Sequence, residues 1–431
     1  MAGGARALAQ ALLLRAEAAG QYADRALDAA LKREQLSSEE RRLVTTLFYG
    51  VVERRLTLDA VIDSISTISP SKIEKNVRMI LRVALYQLLY LDRIPAHAAI
   101  NEAVELSPRR SKGFVNAVLR SFCRGGKQVP LPDRDTAPFA YLSVAHSVPE
   151  STAEELVRLF GFERTASLLT AFEKHPPVTV RVNTLKLSRE EFLTHVSGAI
   201  ATRLAPFGAI LPSDAPLAAL LSEGLCFVQD EASQLAVAAL GATPDMRVLD
   251  LCAAPGSKSF GAAMDMQNKG ELRSFDLHEN KLSLILRGAE TLGVTILRAA
   301  AGDAREADAA VLGQFDRVIC DVPCSGFGVL AKKPDIRYKD IHAAAGLLPV
   351  QRDILNNAAT LVRAGGVLVY STCTLLPAEN EAQVEAFLAA HGEFALSPFT
   401  VGDITNEGML TLAPDTHGTD GFFIAKLQKM R

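Results

Sequence analysis

The chain has 431 residues, 48% of them apolar and 22% charged, with a formal net charge of −3, a globular composition too long for one ordinary domain. No uninterrupted apolar run approaches the ~18 residues of a membrane span, and the first residues set Arg6, Arg15 and Glu17 around a short Ala/Leu patch, which suits an amphipathic helix better than a secretion signal. The protein is therefore expected to be cytoplasmic, with its six cysteines reduced rather than paired in disulfides.

Residues 1–130 hold 20 Lys/Arg against 13 Asp/Glu, whereas the remainder holds 26 against 36. A basic front joined to an acidic remainder suggests a polyanion gripped at one end; solvated helix faces would give the same charges. Residues 1–125 read as nearly all helix, with apolar residues three and four apart in ALAQALLLRAEAA, RRLVTTLFYGVVERRLTLDAVID and NVRMILRVALYQLLYLDRI. Ser37-Ser38-Glu39-Glu40 marks a helix start, and Arg109, Arg110 and Lys112 lie at the front edge of SPRRSKGFVNAVLRSF. On these segments, and above all on the closing GFVNAVLR, the front resembles the NusB-type RNA-binding helical domain, which occurs fused to ribosomal RNA methyltransferases.

GGKQVPLPDRDTAP, over residues 125–140, reads as a linker. A small α+β segment is expected to follow to about residue 235. Its strand PPVTVRVNTLKLS (176–188) carries Arg181 and Asn183 on one face, and FVQDEASQLAVAALG (227–241) runs from strand to helix. From residue 246, short apolar strands alternate with helices in the doubly wound manner: RVLDL, ELRSFDL, TILRAAAGDA, FDRVICDV and GGVLVYSTCT. The domains expected are therefore 1–130, 131–235 and 236–431: an all-α bundle, a small α+β subdomain and an α/β Rossmann-like domain.

The first Rossmann-like strand runs into Cys252-Ala253-Ala254-Pro255-Gly256 and a helix beginning at Ser257-Lys258. Such a turn presents free backbone N–H groups at the end of a parallel sheet. Asp276 closes the second strand about 20 residues beyond Gly256, where ribose hydroxyls are accepted in dinucleotide-type folds. Asp303 follows the third strand, placed to meet an adenine ring. A lone Asp at a strand end is usually a helix cap; two at successive units point to a nucleoside.

Asp321-Val322-Pro323-Cys324-Ser325-Gly326 ends the fourth strand and Ser371-Thr372-Cys373-Thr374 the fifth. Cys320 alternates with Asp321 and should face the opposite side as a core residue. A zinc site from Cys252, Cys320, Cys324 and Cys373 is disfavoured, since no CxxC pair exists. A thiolate nucleophile is the stronger reading. Carbon 5 of a pyrimidine takes a methyl group only after a thiolate has added to carbon 6, and a base must then remove the carbon-5 proton.

VLDLCAAPGSKS, SFDLHENKL, AGDAR, CDVPCSGFGVLAKKPDIRY, YSTCTLLPAENEAQV and DGFFIAKL resemble, in order, the motifs of the S-adenosylmethionine-dependent RNA (cytosine-5)-methyltransferases. With VQDEASQLA and the NusB-like front, the resemblance narrows to the 16S ribosomal RNA enzymes of the RsmB (Sun/Fmu) group. It implies Cys373 as the nucleophile, Cys324 as the residue assisting proton removal and enzyme release, and Asp321 on the target base. In DNA cytosine-5 enzymes the Pro-Cys thiol itself attacks, so the presence of both motifs argues for RNA. S-adenosylmethionine would be held by Cys252, Ala253, Ala254, Pro255, Gly256, Ser257 and Lys258 at its methionine end, Asp276 at its ribose and Asp303 at its adenine. Asp321 also belongs to this set, with Lys258 as its partner. Arg181 and Asn183 match an RxN strand beside the pocket. Ser257 stands where the family usually has a second glycine, which predicts altered cofactor affinity at most. The implied partner is 16S ribosomal RNA or an assembling small subunit, with no membrane, no metal and no demand for more than a monomer. Transfer RNA as the acceptor and a non-catalytic assembly factor are the alternatives.

Overall fold

The computed structural model describes residues 4–19 and 24–430. They form two compact units, one of residues 1–173 with 333–341, the other of residues 174–332 with 342–431.

The first unit is helical. Its main helices are Ala5–Ala19, Asp24–Arg33, Ser38–Glu53, Arg55–Ile65, Lys75–Tyr90, Ala96–Leu106 and Lys112–Arg124. Ser37 starts the third of these with a capping box: its Oγ accepts from the Glu40 N–H at 3.2 Å and its own N–H donates to Glu40 at 2.9 Å. Lys75–Tyr90 is the central helix, buried along almost every turn from Val77 to Leu88. It carries a buried cation, Arg82, which offsets its desolvation with paired contacts to Asp59 at 2.7 and 2.9 Å and to Glu17 at 3.2 Å. The chain continues in this unit through Pro138–His146, Glu150–Phe160 and Phe162–Phe172. Residues 333–341 complete it. Arg337, 2% exposed, donates to the carbonyls of Glu53 and His146 at 3.2 and 3.1 Å, and the Tyr338 hydroxyl to that of Val52 at 2.6 Å.

Among the described residues, the second unit holds two main sheets and a two-stranded ribbon. The smaller comprises β1 (Val178–Val182), β2 (Ile200–Ala201), β3 (Gly208–Leu211) and β4 (Cys226–Val228), antiparallel in the order β2-β3-β1-β4. The larger is built on β5 (Arg247–Asp250), β6 (Glu271–Asp276), β7 (Leu297–Ala301), β8 (Phe315–Asp321) and β9 (Val362–Thr372), parallel in the order β7-β6-β5-β8-β9. It is extended antiparallel beyond β9 by β14 (Phe422–Lys429), against which β10 (Phe394–Leu396) and β13 (Met409–Leu412) pair. A separate ribbon joins β11 (Phe399–Val401) to β12 (Ile404–Asn406).

Both faces of the large sheet are covered, which is why its strands read as apolar runs. Val248, Ile319, Val367 and Val369 face a core completed by Ala232, Leu235, Phe260 and Ile285. The alternating Leu249, Val318, Cys320, Leu368 and Tyr370 face one completed by Ile354, Leu355, Ala358 and Phe387. Strand order reverses between β5 and its neighbours β6 and β8, so the C-terminal ends of these strands open a crevice.

Candidate active site

The crevice begins at the turn after β5. Asp250, 1% exposed, accepts from the Ser259 hydroxyl at 2.7 Å and the Cys252 N–H at 3.3 Å. Burial nevertheless pushes its carboxyl up to about 6. Gly256 closes the turn at φ +113°, where a Cβ would lie 2.4 Å from the Phe260 ring, so glycine is required there. Ser257 is the first residue of the helix Ser257–Asp265 and is not among the positive-φ residues. The serine thus carries no backbone strain.

Beside this turn lies a cavity of about 370 Å³, walled by Leu251, Cys252, Ala254, Asp276, Asp303 and Asp321, by the basic His278, Lys281 and Arg305, and by Ala304, Pro323, Val350 and Ile354. The tips of β5, β6 and β8 and the turn after β7 therefore converge as the strand ends suggested. Of the seven residues 252–258, Cys252 and Ala254 form the wall, while Ala253, Pro255, Gly256, Ser257 and Lys258 shape the turn beside it. Asp276 is fixed by the N–H groups of Ala254 at 3.2 Å and His278 at 3.0 Å, with Lys281 at 3.5 Å. Arg305, two residues beyond Asp303, forks onto its carboxylate at 3.0 and 3.1 Å and holds that carboxyl below the usual range.

Asp321 connects the cavity to the sulfurs. One of its oxygens meets Lys258 Nζ at 2.6 Å and the other accepts from the Ser371 hydroxyl at 2.9 Å. The Lys258 partner is the one expected. Three residues on, Cys324 Sγ lies 3.2 Å from Cys373 Sγ and accepts from the Cys373 N–H at 3.3 Å. Hydrogen bonding to Cys373 and then burial drive the Cys324 thiol well above the ordinary range. Cys252 is also raised, by burial first and then by Asp250 and Asp321, and Cys320 is raised by burial within the core. Cys320 faces away from the crevice, into the core, as its alternation with Asp321 required.

The loop after Cys324 is held closely. Gly328 donates to the Cys373 carbonyl at 3.0 Å and accepts from the Gly421 N–H at 2.7 Å, and a Cβ on Gly328 would lie 1.9 Å from the Gly421 oxygen. Lys332 anchors the far end of the loop between Asp230 at 2.6 Å and Asp420 at 2.7 Å.

Arg181 and Asn183 go elsewhere. Arg181 lies on β1, an inner strand of the small sheet, and Asn183 follows just beyond its end. Arg181 is 2% exposed and pairs with Asp265 at 2.6 Å, while Asn183 donates to the carbonyls of Gly224 and Leu292 at 2.7 and 2.9 Å. They lace the small sheet to the helices Ser257–Asp265 and Glu279–Leu292 and form no part of the cavity wall. Sequence reasoning missed His278, Lys281, Arg305, Val350 and Ile354. The first three stand within five residues of the singled-out aspartates, which is the only signal available; the last two come from a distant helix.

The model described as "16S rRNA methyltransferase RsmB/F" matches residues 237–428, "NusB family" residues 4–124, and "Methyltr_RsmF/B-like, ferredoxin-like domain" residues 148–203. The chain is 38% identical to the "Probable ribosomal RNA small subunit methyltransferase B" of Bacillus subtilis over 98% of each chain. It is 36% identical to the protein of that name from Synechocystis over 99% of each. Among solved structures, that of PH0851 superposes with a TM-score of 0.77 at 27% identity, covering 99% of this chain and 98% of the other.

Proposed function

Because the chain belongs to the 16S rRNA methyltransferase RsmB/F family, whose cofactor is S-adenosylmethionine, we propose that it methylates carbon 5 of a cytosine in small-subunit ribosomal RNA through a covalent Cys373–carbon 6 adduct. The observation that carries this reading is the pair of sulfurs 3.2 Å apart at the ends of β8 and β9, next to Asp321, which also walls the cavity. One nucleophile would need one thiol. Two thiols in contact suit a reaction that both makes and breaks a carbon–sulfur bond.

The cavity suits the cofactor. Its volume falls in the range of about 300–1,000 Å³ usual for small-molecule sites, with carboxylates for nucleoside hydroxyl and amino groups and an apolar wall of Ala304, Pro323, Val350 and Ile354 for a purine. In this assignment residues 252–258 hold the methionine end, Asp276 the ribose and Asp303 the adenine, and Asp321 borders both cofactor and base. When bound, S-adenosylmethionine supplies an electrophilic methyl group.

The protein's own residues do the rest. Cys373, as thiolate, bonds to carbon 6 and makes carbon 5 nucleophilic. Asp321, held by Lys258 and Ser371, orients the base edge. After methylation Cys324 takes the carbon-5 proton, the 5,6 double bond re-forms and Cys373 leaves as thiolate. Cys324 becomes competent for that step once Cys373 is bonded to carbon, since the hydrogen bond to Cys373 is the main cause of its raised pKa.

The division into 1–130, 131–235 and 236–431 gives the front the task of docking RNA through phosphates, and the target cytosine must leave its stack to reach Cys373. Mass spectrometry of small-subunit RNA incubated with protein and S-adenosylmethionine tests the reading. Cys373→Ala should abolish 5-methylcytidine, by about 1,000-fold or more, with RNA still retained on filters. Cys324→Ala should accumulate a denaturation-resistant RNA adduct. An adduct from Cys373→Ala instead would reverse the roles, and wild-type methylation confined to transfer RNA would replace the substrate.

A further inference from the structure

Glu379 is a fully buried carboxylate that the chemistry above does not use. It sits in the turn Pro377–Glu379 after β9, and its backbone is fixed by the Tyr370 hydroxyl, which donates to the Glu379 carbonyl at 2.7 Å. One carboxylate oxygen accepts from the Ser325 N–H at 2.9 Å and from Gln351 Nε2 at 2.8 Å, and the other from the Ser325 hydroxyl. Gln351 Nε2 also donates to the Pro323 carbonyl at 3.0 Å. Both residues flanking Cys324 are therefore held through Glu379, one directly and one through Gln351.

The next residue does the same for the other sulfur. Asn380, also fully buried, accepts from the Thr372 hydroxyl and donates through Nδ2 to the Thr374 carbonyl at 3.0 Å. Thr372 and Thr374 flank Cys373. The two braces meet where the Ser325 and Thr374 hydroxyls lie 2.9 Å apart. A buried carboxylate is costly unless its oxygens are well supplied with donors, and here the donors are Ser325 of the Cys324 loop and Gln351, which reaches that same loop from the helix Leu348–Leu361.

We propose that Glu379 and Asn380 are positioning residues with divided labour: Glu379 sets the loop of the proton-removing Cys324, and Asn380 sets the strand end of the nucleophilic Cys373. The inference rests on the cytosine-5 reading above. Displacing either sulfur by the order of 1 Å should lower kcat about 100-fold, but the two variants should fail at opposite steps. In Glu379→Ala, Cys373 keeps its brace and attacks, so methylated RNA adduct accumulates as in Cys324→Ala. In Asn380→Ala, attack itself fails and adduct stays below the wild-type level. KM for RNA and S-adenosylmethionine binding should remain within about 2-fold for both, since neither residue walls the cavity.

The experiment measures kcat, KM and denaturation-resistant adduct for the full-length variants beside wild type and Cys324→Ala. Should either alanine variant fail to fold, Ser325→Ala and Thr372→Val, which remove one hydroxyl from each brace, must show the same split at about 3–10-fold lower kcat. Equal adduct levels in the two arms, or wild-type turnover in both, overturn the proposal. Failure of the wild-type protein to form 5-methylcytidine, or of Cys324→Ala to form adduct, would instead strike the reading on which it rests.

Discussion

The Cys324 sulfur lies 3.2 Å from that of Cys373, so a charge on one thiol acts directly on the other. The hydrogen bond to Cys373 and burial both favour the protonated form of Cys324. A base whose pKa is raised is more fully available at higher pH. In the adduct Cys373 is bonded to carbon and burial still favours the protonated thiol, so resolution of pre-formed adduct, followed by quenching at intervals, should speed up with pH by up to about 10-fold per unit until Cys324 is deprotonated. A rate that is flat from pH 7 to 9 would remove Cys324 from that step. The sulfurs and aspartates were legible because each ends a short apolar strand, so their convergence followed from topology. Arg181 departs from the pocket-side place the resemblance implied, and alternation could not have found its partner, since it fixes which residues share a face but not what covers that face. Its side was claimed by Asp265, 84 residues away.

At the scale of elements, the parallel strands β5 to β9 emerged within a few residues of their expected ends, since period and apolar length are local signals, whereas β2, β3 and β10 to β14 had no expected counterpart. The helices Pro138–His146, Glu150–Phe160 and Phe162–Phe172 were obscured. The Pro- and Gly-bearing stretch before them suggested a linker, and the segment beyond it was read as mixed. The anchor at Lys332 was equally illegible, for it joins the cap of one helix, the end of one loop and the start of β14. Within it Asp420 is buried beside Asp230, and burial followed by that like charge pushes its carboxyl up to about 7. A carboxyl raised in the folded state stabilises the protein at low pH and loses that contribution as pH rises from about 4 through about 7. Asp420→Asn has no such loss. The stability of the variant relative to wild type should thus improve between pH 5.5 and pH 8 by on the order of 1–2 kcal/mol, as read by thermal denaturation at the two pH values. A constant difference would show that Asp420 does not titrate there.

At the scale of the molecule, the basic excess of residues 1–130 predicts that RNA affinity falls steeply with salt. Six phosphate contacts would cost about 1,000-fold between 50 and 200 mM. Filter binding across that range checks it, and a salt-independent affinity would exclude phosphate docking. The helical unit also depends on Arg337, whose guanidinium bridges two carbonyls in its interior. Arg337→Ala should destabilise that unit by about 2–4 kcal/mol, visible as a separate or earlier unfolding transition in calorimetry. An unchanged thermogram would mean the guanidinium is dispensable.

That placement of residues 333–341 has a consequence for anyone wishing to take the protein apart. A fragment cut after Glu173 would keep the described α-helices of the first unit yet lose the tyrosine and arginine that plug its interior, leaving the backbone oxygens of Val52, Glu53 and His146 without those donors. The front half cannot be excised by scissors at one bond. To isolate it, the nine-residue plug must be spliced back on through an artificial connection, because the first unit is sewn from two separate stretches of chain.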